Sequence, residues 1–253
     1  MDREVNVHLV PELAKPGRLA GGVAVVIDVL RATTSIVQAL AAGCTCVRPC
    51  VCVEEARDLA GGMPVGRVIL AGERNGTALP GFDLGTSPRA FTGALCRGNT
   101  LVFTTTNGTR ALHRAVEAER VLIAAFLNYS AVCEQLRQDP RPIHILCAGC
   151  DCEPALEDTL LAGALVDFLC EEMDVKLNDG ARLAWDCFEN HGRTLLAALE
   201  ISHGGVGLRA LGYDEDIRAA AEVDRLHLVP ELRRDPLRIE IGAVGIVRSH
   251  WNL

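Results

Sequence analysis

The sequence predicts an α/β fold with three layers, α/β/α, in which helices cover both faces of a mostly parallel central sheet, with mixed pairing left open. Two observations predict it. Five short apolar runs are rich in Val and Ile, which is typical of strands buried on both faces. Helical patterns alternate with these runs, as in a series of strand–helix–strand units. The runs are GVAVVIDV (22–29), RVILAGE (67–73), TLVFTTT (100–106), RVLIAAF (120–126) and PIHILCAG (142–149).

The helices predicted around these strands span residues 33–42, 53–60, 109–118 and 130–138. After about Pro154 the pattern changes, and longer helices are predicted at 156–173 and 181–201. A glycine-rich loop is predicted at 202–213, followed by strands at 225–232 and 238–249. No linker rich in Pro, Ser or charge divides the chain, so we expect one domain over residues 1–253.

Composition excludes several classes of partner. The chain has 253 residues, a formal net charge of −8 and no basic run, so nucleic acid is not expected as a partner. No apolar run approaches the roughly 20 residues that span a membrane. The first residues, MDREVNVHLV, begin with acids and lack the apolar stretch of a signal peptide. We therefore expect a cytoplasmic protein without membrane contact.

Cysteine is abundant, with eleven residues, and in a reducing cytosol these are expected to be free thiols. Clusters occur at 44–52 and 147–152, but neither has the paired spacing of a zinc ribbon. A thiol-based metal or redox protein stays open as an alternative. Cys187 and Arg193 have the Cys-x5-Arg spacing of a thiol phosphatase, but their segment has a helical pattern and lacks the glycines of a phosphate cradle.

Charged side chains follow several predicted strands where each strand ends. Asp28 ends one apolar run and Arg31 lies just beyond it, while Glu73 and Arg74 end another. In α/β sheets, ligands bind outside the carboxyl ends of the strands. Carboxylates supply the oxygen ligands that Mg²⁺ prefers, and arginine binds phosphate. The sequence therefore indicates metal-assisted phosphoryl chemistry at this edge.

A turn rich in hydroxyl groups follows the strand at 100–106. The segment LVFTTTNGTRAL (101–112) passes from three threonines through Asn-Gly-Thr into a predicted helix. Backbone N–H groups at a helix N-terminus can bind an anion. Alternatively, Asn107 or Thr109 merely caps the helix. These residues alone support both interpretations equally.

Six motifs together resemble the 2-phosphosulfolactate phosphatase family. They are VVIDVLRATT, ILAGERNG, GFDLGTSP, TTTNGTRAL, FLNYSAV and EDTLLAGALVD, in family order from about residue 25 to residue 167. The resemblance implies a Mg²⁺-dependent acid phosphatase that hydrolyses (2R)-phosphosulfolactate to (2R)-3-sulfolactate and phosphate, a step toward coenzyme M. The chain departs from the family pattern in its many cysteines and at Thr86, where asparagine is expected. The segment SHGGVG (202–207) lies in a less similar part.

The resemblance also implies roles for particular residues. Asp28, Glu73 and Asp83 are expected to act in catalysis, and the same three acids with Asp158 are expected to hold Mg²⁺. The residues expected to bind a small anionic phosphorylated substrate are Arg31, Arg74, Thr105, Thr106, Asn107, Gly108 and Thr109. Two alternatives stay open: a phosphatase of another small phosphorylated hydroxy acid, and a non-catalytic protein that binds a phosphate metabolite. Assembly into a homo-oligomer is also left open.

Overall fold

A computed structural model describes residues 2–242 and 250–251. Its strands are β1 (Arg3–His8), β2 (Val23–Ile27), β3 (Cys46–Pro49), β4 (Val68–Arg74), β5 (Thr77–Ala78), β6 (Thr100–Thr104), β7 (Arg120–Ala124), β8 (Ile143–Cys147), β9 (Val175–Leu177), β10 (Pro230–Arg233) and β11 (Arg238–Ile241). Its helices are α1 (Ala32–Ala41), α2 (Val53–Gly61), α3 (Gly93–Cys96), α4 (Gly108–Ala115), α5 (Tyr129–Gln138), α6 (Leu156–Glu172), α7 (Asp179–His191), α8 (Leu195–Ile201), α9 (His203–Ala210) and α10 (Asp214–Ala220). None of these helices combines the length and the apolar character needed to cross a bilayer.

One sheet contains all the described strands, in the order β5-β4-β6-β3-β11-β10-β7-β2-β8-β1-β9. The strands β4, β6 and β3 are parallel to one another, and so are β7, β2, β8, β1 and β9. The hairpin β10–β11 joins these two sets through antiparallel pairs on both sides. The sheet is therefore mostly parallel but mixed, and the predicted fold class is confirmed.

Strand β2 shows why the molecule has three layers. It pairs in parallel with β7 on one side and with β8 on the other. Val23, Val25 and Ile27 pack into one hydrophobic cluster with residues of α5, α6 and α7. Ala24 and Val26 point to the opposite face and pack with residues of α1 and α4. Alternate residues of one strand therefore bury both faces, as the continuous apolar run predicts.

The segment at 202–213 is the main difference from the predicted secondary structure, because the predicted loop is wrong and most of it is the helix α9. Ser202 begins this helix, and its Oγ accepts a hydrogen bond from Gly205 N at 3.0 Å. A Cβ at Gly205 would collide with Leu199 O at the end of α8. Glycine thus allows a close approach of two consecutive helices here, which its usual association with loops does not reveal.

Other differences lie at the ends of elements. The helix predicted at 181–201 is interrupted by a 3₁₀ turn at Gly192–Thr194, which separates α7 from α8. The strands β10 and β11 are shorter than predicted, and part of the prediction at 238–249 lies outside the described residues. Strands β1, β5 and β9 were not predicted. The last two have only two and three residues, which carry too little pattern to separate a strand from a loop.

Candidate active site

A cavity of about 460 Å³ lies where segments following β2, β4, β6 and β8 meet helix α9. Several of the residues predicted to act or bind lie on its wall. These are Asp28, Arg31, Glu73, Thr105, Thr106 and Asn107. The cavity therefore brings together side chains from three separate strand ends, at the carboxyl edge where α/β sheets bind ligands.

The other predicted site residues lie outside that wall. Asp83 Oδ2 accepts a hydrogen bond from Leu70 N at 2.8 Å, in the middle of β4. Arg74 donates through its guanidinium to Glu73 O at 2.7 Å and to Thr104 Oγ1 at 3.3 Å. Gly108 and Thr109 lie at the beginning of α4, and Asp158 lies buried at the beginning of α6. The roles assigned to these residues stay predictions.

Asp28 is nearly buried, with 8% of its surface exposed, at the carboxyl end of β2. Its Oδ1 accepts a hydrogen bond from Ala32 N at 3.0 Å and so fixes the beginning of α1. Burial raises the pKa of Asp28 to about 7; the bond from Ala32 opposes this rise, and the charges of Glu73 and Glu157 add to it. A buried carboxyl near other acids is typical of a functional site.

Glu157 was not assigned a role from the sequence, yet it is buried near Asp28. Burial raises its pKa, and its Oε2 is a buried oxygen without a hydrogen-bond partner. A Cβ at Gly204 of α9 would collide with Glu157 Oε1, so a larger residue there would require this carboxyl to shift. Two successive acids at the beginning of an apolar helix, Glu157 and Asp158, are the sequence signal that could have identified it.

Asp158 fixes backbone rather than facing the cavity. Its Oδ1 accepts a hydrogen bond from Val29 N at 2.8 Å, and its Oδ2 accepts one from Gly149 N at 3.0 Å. Burial, followed by the charges of Asp28 and Glu157, raises the pKa of Asp158 well above its usual range. The side chain thus joins the segments that follow β2 and β8, two sides of the cavity.

The raised pKa values of these acids predict how the stability of the metal-free protein depends on pH. A carboxyl whose pKa is higher in the folded state stabilises that state below its ordinary pKa, and this stabilisation is lost as the pH rises through about 7 for Asp28. The lowered pKa values of His8 and His144 act in the opposite direction below about pH 6.5, the ordinary pKa of histidine. We therefore expect the free energy of unfolding, measured with urea, to fall between about pH 6.5 and pH 8. A flat or rising profile in that window would contradict the prediction.

Glu73 joins two turns on the cavity wall. Its Oε1 accepts hydrogen bonds from Thr106 N at 2.8 Å and Thr106 Oγ1 at 3.1 Å, while its Oε2 accepts one from Gly76 N at 2.8 Å. Both carboxylate oxygens are therefore engaged with the protein. The geometry gives Glu73 a positioning function, because it holds the hydroxyl-rich turn after β6 against the turn after β4.

The hydroxyl-rich turn is held by its own threonines. Thr109 Oγ1 accepts a hydrogen bond from Thr105 N at 3.1 Å, and Thr105 Oγ1 accepts one from Thr109 N at 3.2 Å. Asn107 occupies the N-cap position of α4, but its side chain makes no capping bond and its Oδ1 is buried without a partner. A capping role for Asn107 therefore has no support, and its amide borders the cavity.

Arg31 borders the cavity but is paired with the protein. Its Nη1 donates to Asp216 Oδ2 at 2.8 Å, and both side chains are nearly buried, with exposures of 4% and 3%. Its Nη2 donates to Gly76 O at 2.7 Å, and its guanidinium lies 4.4 Å from the ring centroid of Tyr213. Neither Asp216 nor Tyr213 was identified from the sequence, since their only link to Arg31 is through space.

The cysteine alternatives gain no support. Cys187 lies within α7 and Arg193 in the turn after it, and neither borders the cavity. Burial raises the pKa of Cys187, which disfavours the thiolate that a thiol phosphatase needs. Within residues 2–242 and 250–251, no group of three or more His, Cys, Asp or Glu side chains is arranged to hold a metal ion.

The model of the 2-phosphosulpholactate phosphatase family matches residues 8–235. The chain belongs to this family. Relatives described as probable 2-phosphosulfolactate phosphatases match it over most of their length. One from Symbiobacterium thermophilum is 41% identical over 213 residues, which cover 84% of this chain and 91% of the relative. One from Deinococcus radiodurans is 39% identical over 230 residues, which cover 90% of this chain and 92% of the relative. The family recognised from the motifs is confirmed, and with it the enzyme class, a phosphoric monoester hydrolase.

Asp28 on the cavity wall and Glu157 near it fit the magnesium ion that the resemblance implies. Mg²⁺ keeps several waters and is commonly bound through one or two carboxylates together with substrate phosphate, so it does not need three protein ligands. Asp28 and Glu157 are two buried carboxyls whose pKa values are raised by burial, and Glu157 Oε2 has no partner. A divalent cation would offset the cost of burying both charges. Of the four predicted ligands, we retain Asp28 as a magnesium ligand, and we add Glu157. The other three predicted ligands use carboxylate oxygens to accept hydrogen bonds from backbone N–H groups; they are Glu73, Asp83 and Asp158.

Proposed function

We propose that this chain hydrolyses (2R)-phosphosulfolactate to (2R)-3-sulfolactate and phosphate with the help of Mg²⁺, a step toward coenzyme M. The observation that carries the proposal is the cavity whose wall brings the buried carboxyl of Asp28 together with a turn of hydroxyl and amide groups, while the buried carboxyl of Glu157 lies near Asp28. Relatives described as probable 2-phosphosulfolactate phosphatases support the choice of substrate.

In this proposal, the turn after β6 binds the phosphoryl group. Thr105, Thr106 and Asn107 border the cavity. The hydroxyl of Thr105 and the amide nitrogen of Asn107 can donate to phosphoryl oxygens, whereas Thr106 donates to Glu73. Glu73 keeps Thr106 in place through its backbone and its hydroxyl. A preorganised set of donors stabilises the charge that develops in the transition state without reorganising during the reaction.

Asp28 and Glu157 would be the carboxylates that hold Mg²⁺. When bound, the ion supplies positive charge that polarises the phosphoryl group and lowers the pKa of a bound water. Asp28 Oδ1 stays bonded to Ala32 N, which keeps the carboxyl oriented toward the cavity.

Hydrolysis then breaks one bond and forms another. The oxygen of water attacks phosphorus, the phosphorus–oxygen ester bond breaks, and the oxygen on carbon 2 of the substrate leaves with a proton. His203 borders the same cavity, and its imidazolium form can donate that proton. The products are phosphate and the free hydroxy acid.

A non-catalytic sensor is the weaker alternative. Buried carboxyls near an anion site repel an anionic ligand unless a cation lies between them. A protein that only binds phosphate gains nothing from Asp28 and Glu157, whereas a metal-assisted phosphatase requires such groups. The arrangement therefore favours catalysis.

The experiment is a turnover assay with phosphosulfolactate, phospholactate and phosphoglycerate, with Mg²⁺ and with EDTA. We expect the highest kcat/KM for phosphosulfolactate, and we expect EDTA to abolish turnover while the circular dichroism spectrum stays unchanged. A higher kcat/KM for another phosphorylated hydroxy acid would contradict the assignment of phosphosulfolactate as the substrate. Full activity in EDTA would contradict the proposed requirement for Mg²⁺. Binding of these substrates without turnover of any of them would support the non-catalytic sensor.

A further inference from the structure

We propose that Thr86 and Arg31 form a second anion subsite, which binds the sulfonate of the substrate while the turn at Thr105–Asn107 binds its phosphate. This inference rests on the proposed function, because it names the group that distinguishes the substrate. It adds Thr86 as a specificity-determining residue, and it gives Asp216 the function of positioning Arg31.

The first observation is the hydroxyl of Thr86. Thr86 is 1% exposed and borders the cavity, and its Oγ1 has no hydrogen-bond partner. Leaving a buried polar group unsatisfied destabilises a protein, because the group has lost its hydrogen bonds to water. Among the described residues, six buried side-chain polar atoms lack a partner, and of these only Thr86 Oγ1 and Asn107 Oδ1 belong to residues that border the cavity. A sulfonate bound in the cavity would accept a hydrogen bond from the hydroxyl of Thr86.

The second observation is how the backbone of Thr86 is fixed. Ser35 Oγ, on helix α1, donates to Thr86 O at 2.6 Å. The next residue, Ser87, donates through Oγ to Asp216 Oδ1 at 2.6 Å. The same carboxylate accepts from Arg31 Nη1 through its other oxygen. Asp216 therefore holds residues 86–87 and Arg31 on the same part of the wall.

The third observation is which donors stay available. A guanidinium has five N–H donors, and Arg31 uses one on Nη1 for Asp216 and one on Nη2 for Gly76 O. Its two terminal nitrogens are thus committed to two different protein oxygens, so they do not form a free fork for a planar carboxylate. Single donors from Arg31 and Thr86, two separate residues of the cavity wall, suit the oxygens of a tetrahedral sulfonate better than those of a planar carboxylate.

The fourth observation is open space on the wall of the same cavity. Gly207 of α9 borders the cavity, and a Cβ added there would meet no atom within 4 Å. Glycine inside a helix is less favourable than alanine. Packing does not require this glycine, unlike Gly205, so its effect is to leave volume at the cavity wall.

The test compares Thr86→Val, which removes the hydroxyl at nearly constant volume, with Thr86→Ser, which keeps it. Thr92→Val serves as a matched control, since Thr92 is exposed and its side chain makes no capping bond. Three substrates separate the anionic groups: phosphosulfolactate, 2-sulfoethyl phosphate, which lacks the carboxylate, and phospholactate, which lacks the sulfonate. The readout is the ratio of kcat/KM for each sulfonated substrate to that for phospholactate.

We expect Thr86→Val to lower both ratios at least about tenfold, the scale of one hydrogen bond to a charged group. Thr86→Ser should restore most of the loss, and Thr92→Val should leave the ratios unchanged. Equal losses for all three substrates would overturn the assignment and make Thr86 a structural residue. If kcat/KM fell only for the two substrates that carry a carboxylate, the subsite would bind the carboxylate and not the sulfonate. If the ratios did not change, Thr86 would have no role in recognising the sulfonate.

A second measurement separates this inference from the proposed function. If the wild-type protein does not hydrolyse phosphosulfolactate, the proposed function fails, and the subsite is then tested by titration calorimetry with sulfoacetate and with malonate. Preferential binding of sulfoacetate that Thr86→Val weakens at least about tenfold would support a sulfonate subsite on its own. Equal binding of both ligands to wild type and variant would overturn it.

Discussion

The variant Asp28→Asn is expected to lower kcat at least about a hundredfold, the scale on which the loss of one electrostatic partner of the transition state acts. The introduced amide would keep an oxygen that accepts from Ala32 N, so the beginning of α1 is preserved. It would lack the negative charge that we assign to holding Mg²⁺. The measurement is steady-state turnover of phosphosulfolactate across a range of Mg²⁺ concentrations.

The same variant, Asp28→Asn, should not lose stability although it loses turnover. Because burial raises the pKa of Asp28 to about 7, ionising this carboxyl at pH 8 destabilises the metal-free folded state. The neutral amide avoids that cost, so Asp28→Asn should be at least as resistant to urea as wild type at pH 8. Asp58→Asn is the control, since Asp58 is exposed on α2 and should change neither turnover nor stability. Substantial turnover in Asp28→Asn would remove Asp28 from the mechanism.

The variant Asp216→Ala is expected to reduce the free energy of unfolding by about 3–5 kcal/mol. It leaves the Arg31 guanidinium, only 4% exposed, without its carboxylate partner, and it also removes the acceptor of Ser87 Oγ. An unpaired buried charge is far more costly than a missing surface pair. Urea unfolding at pH 7 measures the change.

Asp214→Ala provides a matched control on the same helix, α10. Asp214 pairs with Arg209 at 3.4 Å, but both side chains are about half exposed, so its loss should cost less than about 1 kcal/mol. Similar losses of unfolding free energy in the two variants would show that burial does not determine how much the Arg31–Asp216 pair contributes to stability. Asp216→Ala should also raise the KM for phosphosulfolactate more than that for phospholactate, because Arg31 would lose its position at the proposed sulfonate subsite.

Much of the fold was predictable because its signals are local. Apolar runs such as the one at 22–29 bury both faces of a strand, and helical patterns between them cover the sheet, as the packing of β2 confirms. The motifs around Asp28, Glu73 and the turn at 104–109 placed polar groups at strand ends, where the cavity lies. The sequence was misleading at 202–213, since glycine there allows α9 to approach α8 closely instead of forming a loop.

The sequence by itself determined the α/β class, the family and the strand ends that meet at the cavity, because each depends on residues close together in the chain. Only the tertiary structure decided which charges interact. Arg31 and Asp216 are 185 residues apart in sequence yet paired at 2.8 Å, and Val29 N reaches Asp158 Oδ1 across 129 residues. Burial also decided that the oxygen of Glu157 lacks a partner, and that Asp83 bonds a strand instead of bordering the cavity. Desolvation and long-range pairing arise only when distant segments pack together, so no local pattern could have shown them.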